Sequence, residues 1–564
     1  MKPFILFALL LSVITAQTQI PNLQWARGFG SADIVNGTSI ATDPSGNVYV
    51  TGYFTDTLLI FGADTLVNSA TNGAQNMFIA KYDSSGNPLW ARSAGGGANE
   101  GTENVTAYGL GTDASGNVYV IGSFQTPFVI FGADTLITNN DYSFLARFDS
   151  QGNTVWAINL GGTLNTATSI AVDASGNSYI CGDFTSGSII GGTDTVPMSG
   201  YVASYVIKYD SSGNSLWAAG VTGNITINYA VAIDAASNVY VTGSYSGDTA
   251  QAGNVILSDP GEARAGIYTI KYDASGSIAW AQNATVRGLI FPSAIGADKA
   301  GDVYITGYTL ADTLVFGADT GYTGTTAAPD NFFIAKYDSS GNIRWLRNTT
   351  GYNDATPTAI SVDDAGNAFV TGSFAYGPLT IGNTTLANND TFHQQAVFIA
   401  QYDPSGNPVW ATGGLAPTLD IDAGAAIVFD NKGHLYVAGN YEGSSVIFGS
   451  DTLPYPFINY EDYQNYSFVS KYDIPGTYTN YIGPPGTSNT IAVYPNPTNG
   501  SIYFTHLQAG DRIEVYDLLG ELITSATGTG DRYSMDLSNK AKGIYLYRVT
   551  ENGSPVGVGK VVVQ

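Results

Sequence analysis

The chain is poor in the residues from which enzymes most often assemble a site. Of its 564 residues one is cysteine and three are histidine. Cys181 has no partner for an internal disulfide, and in SYICGDF it falls at a strand position, where a small buried apolar side chain is expected. His393, His434 and His506 are scattered along the chain, which argues against a multi-histidine zinc site. Lys and Arg total 21 against 46 Asp and Glu, a net charge of −25. A nucleic-acid partner needs a basic footprint, and none is present. There is no G-x-S-x-G elbow, Walker loop or H-E-x-x-H motif. No stretch shows a sustained 3.6-residue apolar period, so helices are not expected. No apolar run approaches the ~20 residues of a membrane-spanning helix. We therefore expect no catalytic residues, no metal and no cofactor.

What the chain does have is glycine, aromatics and a period. Gly numbers 68 and aromatic residues reach 12% against 12% charged, a profile of short strands joined by glycine turns. The seven tryptophans are Trp25, Trp90, Trp156, Trp217, Trp280, Trp345 and Trp410, in steps of 65, 66, 61, 63, 65 and 65 residues. A fixed period of this kind marks an array of repeated units.

Each repeat has the same order, shown by SIATDPSGNVYVTGYF, TLLIFGADTL and MFIAKYDSSGNPLWAR. A first D-x-x-G-N turn recurs at Asp43, Asp113, Asp173, Asp234, Asp298, Asp363 and Asp430, with Ser237 in the glycine slot of the fourth copy. A second recurs at Asp83, Asp149, Asp210, Asp273, Asp338, Asp403 and, degenerate, at Asp473. Asp caps such a turn through the backbone and Gly takes a left-handed conformation, a standard hairpin connection. The loops lack the alternating ligands and terminal Glu of a calcium-binding EF-hand. The strand before the first turn carries small residues, as in Ser39-Ile40-Ala41 and Gly109-Leu110-Gly111, which suits packing near a central axis. The next strand carries Tyr49 and its counterparts, which suit the wider space between blades. Four strands use roughly 40 residues, which leaves FGADTL as an extra hairpin. The seventh repeat has no Trp strand, while Leu23-Gln24-Trp25-Ala26 has no repeat before it. The N-terminal strand is therefore expected to complete the last blade and remove free sheet edges. The expected fold is all-β, a seven-bladed β-propeller over residues 17–480 followed by a small β-sandwich.

Two segments resemble known families. The D-x-x-G-N-x-Y-V-T-G core with F-I-A-K-Y-D-x-x-G-N-x-x-W resembles the beta-propeller repeat of bacterial surface proteins over about residues 20–480. After a Pro/Gly linker at 481–490, residues 491–564 read Val493-Tyr494-Pro495-Asn496-Pro497-Thr498-Asn499-Gly500, then a Leu-Gly turn at Gly520, then Gly543-Ile544-Tyr545, and end on Lys560-Val561-Val562-Val563-Gln564. These blocks resemble the type A sorting domain of the type IX secretion system. The resemblance implies a β-sandwich acting as an export address, recognition by the type IX machinery, and passage to the bacterial surface. It also implies removal of the domain near the linker, with release or attachment to surface lipopolysaccharide. Asp-Thr-Leu at Asp56, Asp64, Asp134, Asp312 and Asp451 resembles the short O-glycosylation acceptor of such bacteria; it also reads as a turn motif copied with the repeat. At the N-terminus, one Lys, an apolar run and Thr15-Ala16 read as a signal peptide over residues 1–16.

Two groups of residues are candidates for ligand contact. The loops from each Trp strand to the next inner strand meet at one mouth of a propeller channel, and they carry Asp33, Glu100, Glu103, Asp354, Asp420 and Asp422. Such a mouth could hold a cation, a cationic group or a sugar; the other reading is solvated loop charge. The segment with Tyr455, Phe457, Tyr460, Tyr463 and Tyr466 is aromatic enough to stack on sugars, or simply packs the extra hairpin onto its blade. The sequence thus points to a monomeric exported module that binds glycan or protein in adhesion. The alternatives are a polysaccharide lyase or glycoside hydrolase with a channel carboxylate pair, and a structural surface-layer component.

Overall fold

The computed structural model describes residues 20–474 and 492–563, apart from 32, 69–72, 97–103, 138–141, 161–162, 259–264, 287, 323–329, 351–353, 389–394, 414–421, 443–444, 449–450, 455–464, 495–497, 499, 506, 518–521, 531 and 552–553. Every regular element among the described residues is a β-strand. The chain divides into two compact units, Met1–Pro475 and Gly476–Gln564.

The larger unit is a β-propeller built from one repeated antiparallel set. In the first set the strands Val35–Thr42, Val48–Phe54, Asn76–Tyr82 and Pro88–Ala94 pair in that order from the axis outwards. Turn chemistry fixes the hairpins. Asp43 Oδ1 accepts from the backbone N–H of Ser45 and Asn47 at 2.9 and 3.0 Å, and Asn47 Nδ2 donates to Asp43 Oδ2 at 2.7 Å. Gly46 takes a φ of 84°, where a side chain is strained. Among the described residues seven such sets follow one another; five are separate sheets, and the third and fourth run together through the long strand Ser215–Ile233. Each inner strand packs beside the next, and the last, Ala423–Phe429, packs beside the first, Val35–Thr42. The outer strand of the last set comes from the other end of the chain: Asn22–Phe29 pairs antiparallel with Asn465–Asp473.

A polar and aromatic latch joins neighbouring sets at six of the seven junctions among the described residues. Trp25 Nε1 donates to Ser84 O at 3.2 Å, Trp90 to Ser150 O at 3.2 Å and Trp345 to Pro404 O at 3.0 Å; Trp156, Trp217 and Trp280 make the same bond. The acceptor is always in the second turn of the following set. Tyr49 OH donates to Asp43 Oδ2 at 3.0 Å and reaches Gly116 O of the next set at 3.2 Å. Lys81 Nζ lies 4.9 Å from the Tyr49 ring centroid and 3.6 Å from Asp43, and donates to Ser150 O at 3.1 Å. Burial pushes the Asp43 carboxyl up, but hydrogen bonds from Asn47 and Tyr49 and the Lys81 charge outweigh it and hold the group below its usual value. Paired in this way, a buried charge is tolerable.

The FGADTL segments form extra hairpins, such as Leu58–Phe61 with Asp64–Val67. In the first two sets the hairpin Asp ties the hairpin to its outer strand. Asp64 Oδ2 accepts from Ala91 N at 2.8 Å, and Asp134 Oδ2 accepts from Ala157 N at 3.0 Å. The smaller unit has two sheets, one of three and one of four strands. Their facing side chains, including Ile502, Phe504, Ile513, Val515, Val549 and Val561, share one core. Glu514 sits between Arg512 at 3.0 Å and Arg548 at 2.7 Å.

The latch makes two glycines unequal. A Cβ on Gly86 would lie 2.8 Å from the Trp25 ring, whereas one on Gly46 would meet nothing nearer than 3.8 Å. Gly46→Ala is expected to cost about 1 kcal/mol, the left-handed backbone penalty. Gly86→Ala is expected to cost about 3 kcal/mol, because the indole must also move. Chemical denaturation of the two variants checks the difference.

Candidate functional site

The two ends of the propeller are built differently. In an antiparallel set the first and second turns lie at one end, while the extra hairpins and the loops to the next inner strand lie at the other. At the turn end the Asp, Tyr, Lys and Trp side chains are consumed by the latch. At the opposite end each inner strand carries a β-bulge, and the bulged residues are Thr38, Tyr108, Thr168, Tyr229, Ser293, Thr358 and Ala425. A bulge re-aims one side chain out of the ladder. Where that residue is Thr it bridges sets: Thr38 Oγ1 donates to Ala107 O at 2.9 Å and Thr168 Oγ1 to Asn228 O at 3.0 Å. Where it is Tyr it does something else; Tyr108 OH lies 2.7 Å from Ser123 Oγ. The matching second-strand positions are Tyr53, Ser123, Asp183, Ser244, Tyr308, Ser373 and Asn440. These positions differ from set to set, whereas the turns do not.

Charge and burial single out one sector. Burial, reinforced by repulsion from Asp354, lifts the Asp330 carboxyl to about 6. Burial lifts the Tyr308 phenol, and Asp330, Tyr229 and Asp354 all add to the effect. The Phe291 and Tyr308 rings lie 5.2 Å apart. This brings two carboxyls and two phenols from three sets to the non-turn end beside an aromatic wall. Asp183, in the third set, is also lifted to about 6 by burial, and no ion pair to it forms among the described residues. Carboxyls poised near neutrality can donate as well as accept, which suits hydroxyl-rich ligands and acid–base chemistry. Among the described residues no three His, Cys, Asp or Glu side chains are grouped to hold a metal ion. Cys181 is buried, and burial pushes its thiol up to about 12, leaving it a packing residue.

The sequence candidates fall in three classes. Asp33 is partly exposed and closes its own turn, accepting from Ile34 N at 2.9 Å. Asp354 is partly exposed, has a φ of 37° and lies beside Asp330. Two expectations need correction. Asp422 is fully buried, with its N–H donating to Gln395 O at 3.0 Å, so its carboxylate is not presented at the mouth. Tyr466 is also fully buried, its ring centroid 5.7 Å from that of Tyr441. It offers no platform to a sugar, because it fills the space left by Gly30, where a Cβ would lie 2.0 Å from its ring. Glu100, Glu103, Asp420, Tyr455, Phe457, Tyr460 and Tyr463 lie outside the described residues, as do Pro495, Asn496, Pro497 and Gly520. In the smaller unit Tyr494 lies in the strand Ala492–Tyr494. Gly500 O accepts from Leu537 N at 3.1 Å, and Gly543 opens the strand Gly543–Glu551. Tyr545 is buried and donates to Ala541 O at 2.8 Å, and Lys560 is exposed. The sequence reading missed Asp183, Tyr229, Tyr308 and Asp330. The available signal was the set-to-set disagreement at the bulge and second-strand positions, where Asp183 is the one carboxylate.

The Asp183 shift has a definite sign. A carboxyl whose folded value is raised stabilises the fold below its unfolded value near 3.8, and that contribution is lost as pH rises through about 6. Asp183→Asn is therefore expected to raise the melting temperature at pH 8 relative to the parent. The gap should close as pH falls from about 6 to about 4, and thermal unfolding across that range checks it.

Residues 24–53 match the family model for a beta-propeller repeat, and residues 492–564 match that for a secretion system C-terminal sorting domain. Among curated proteins the chain is similar to an uncharacterized WD repeat-containing protein of Acanthamoeba polyphaga mimivirus, 27% identical over 343 residues, covering 50% of this chain and 25% of that protein. It is also similar to the regulatory protein FlaEY of Caulobacter vibrioides, 28% identical over 179 residues, covering 29% of this chain and 18% of that protein. The chain thus spans a quarter or less of these relatives. Similar solved structures include PorZ of Porphyromonas gingivalis, at 11% identity and TM-score 0.25 over 94% of this chain and 81% of that one. A polysaccharide lyase acting on ulvan is another, at 10% identity and TM-score 0.39 over 73% and 93%. Scores this low carry no argument about function. The repeat and the tail together make the chain a bacterial β-propeller protein with a type IX sorting domain, exported to the cell surface or beyond it.

Proposed function

We propose that the exported propeller is a binding module, used in adhesion, that holds a glycan or protein at the non-turn end of its channel. We further propose residues 1–16 as a cleaved leader, residues 17–480 as a closed seven-bladed ring and residues 481–490 as the linker to the sorting domain. Binding is the reading best supported because divergence between the sets concentrates at one end. The turn end largely repeats the same side chains for architecture, while the other end varies Thr, Tyr, Ser, Asp and Asn around one opening. Asp33 and Asp354 belong to this end, with Tyr229, Tyr308 and Asp330 beside Asp354. Asp330→Asn and Tyr308→Phe should each weaken binding of a captured glycan about tenfold, the loss of one buried polar contact. A glycan array and a surface-protein pull-down with parent and variants check this, each run with calcium and with chelator. Equal binding by parent and variants removes the mouth from the reading.

A second reading rests on the same carboxyl pair. The Asp354 charge raises the proton affinity of Asp330, as one carboxylate does for another in carbohydrate-cleaving sites. If the chain is a lyase or hydrolase, it shortens a polysaccharide and Asp330→Asn abolishes product release. If it binds only, chain length is unchanged. Export itself should need the tail: a chain lacking residues 492–564 is expected to stay in the periplasm, as fractionation and immunoblotting would show.

A further inference from the structure

At the junction of the third and fourth sets the outer rim departs from the repeat. Elsewhere the extra hairpin places large buried side chains on its blade, such as Leu59 and Phe61 in the first set. In the fourth set the equivalent residues are Ala250 and Ala252, and the third set has Gly191 at the Phe61 position. The fourth hairpin is also carried by an extension of the strand Val239–Ala252, whose end pairs with the outer strand of the third set, Val221 opposite Ala252 and Thr222 opposite Gln251. Between the third hairpin and this displaced fourth one lies a cleft of about 600 Å³.

One wall of the cleft is Trp280. One face of its ring is covered by Gly341, where a Cβ would come within 2.8 Å. In Trp25, Trp90 and Trp345 the ring is also overlaid by the guanidinium two residues on, Arg27, Arg92 and Arg347, each 5.6 Å from the centroid. Those three indoles are buried. Two residues after Trp280 stands Gln282, as Ala219 and Thr412 stand after Trp217 and Trp410; those two indoles are buried without an arginine, whereas Trp280 remains partly exposed. Around it the cleft presents the amides of Gln251 and Asn254 and the hydroxyls of Thr195 and Thr222, with no charged residue in the lining.

We infer that this cleft is a binding site for a neutral saccharide, separate from the channel mouth. A partly exposed indole offers apolar surface to the C–H face of a sugar ring, and neighbouring amides and hydroxyls pair with its hydroxyls. A uronate is disfavoured because the cleft has no cation to receive it and the chain carries a net charge of −25. The volume lies within the range of small-ligand sites, so a short oligosaccharide is the fitting size.

The test is calorimetric titration of the exported chain with cello-, manno- and xylo-oligosaccharides and with oligogalacturonate as the charged comparator. A neutral oligosaccharide should bind. Gln282→Arg, which restores the guanidinium cover used in other sets, should weaken it at least about tenfold without lowering the melting temperature. Asn254→Ala at the exposed hairpin tip should weaken it in the same direction, and Asn383→Ala at the matching exposed tip of the sixth set should leave it unchanged. No binding of any neutral probe, a preference for the uronate, or full affinity in both cleft variants would overturn the inference. Loss with Tyr308→Phe alone would move the site to the mouth and overturn it equally.

Discussion

The fold depends on one contact made repeatedly: an outer-strand indole N–H reaching the carbonyl of the next set's turn, across a glycine that leaves room for the ring. Each half explains the other. The turn needs a left-handed residue, and the indole needs a residue with no side chain, so Gly satisfies both at Gly86, Gly152 and Gly341. The contact also carries the ring round its seam, since Trp25 at the N-terminal end latches onto Ser84 of the first set just as Trp90 latches onto Ser150. Repeat proteins gain stability chiefly from such neighbour terms, and a ring has no terminal repeat to lose one.

The latch residues vary in a few sets; the second carries Arg147 in the lysine slot over a retained Tyr119. In the sixth set Phe369 replaces the tyrosine and Gln401 replaces the lysine of the third strand. With no phenol to bond the turn Asp, Phe369 stacks instead on Phe429 of the seventh set, 4.8 Å away and nearly parallel. Gln401, on the strand beside Phe369, is a buried neutral amide and brings no charge into this junction. In the seventh set His434 takes the Asn slot, its Nδ1 2.7 Å from Asp430 Oδ2, so the turn keeps its side-chain bond with a different ring.

Much of this architecture was legible because it is local and periodic. The Trp interval, the two Asp turns, the FGADTL hairpin and the orphan strand at Leu23–Ala26 each follow from a few adjacent residues repeated along the chain. The mouth was not legible in the same way. Tyr229, Tyr308, Asp330 and Asp354 come from three consecutive sets and meet only when neighbouring sets pack together. Asp422 and Tyr466 misled because loop position was equated with exposure, whereas Asp422 adjoins the strand Ala423–Phe429, Tyr466 lies within the strand Asn465–Asp473, and both are buried. The Trp280 cleft was hidden for the opposite reason: its signal is three small hairpin residues, Gly191, Ala250 and Ala252, beside a partly exposed indole, and such absences show only when the sets are laid side by side in space.

The central claim is that the strand Asn22–Phe29 is the last blade's outer strand, so the ring is closed by its two ends. Hydrogen–deuterium exchange of the exported chain tests it directly, because a strand fixed in a sheet exchanges only through opening of the structure. Closure predicts that amides within Asn22–Phe29 are protected as strongly as those of their partner strand, Asn465–Asp473. Rapid exchange of residues 22–29 beside a protected 465–473 would contradict it.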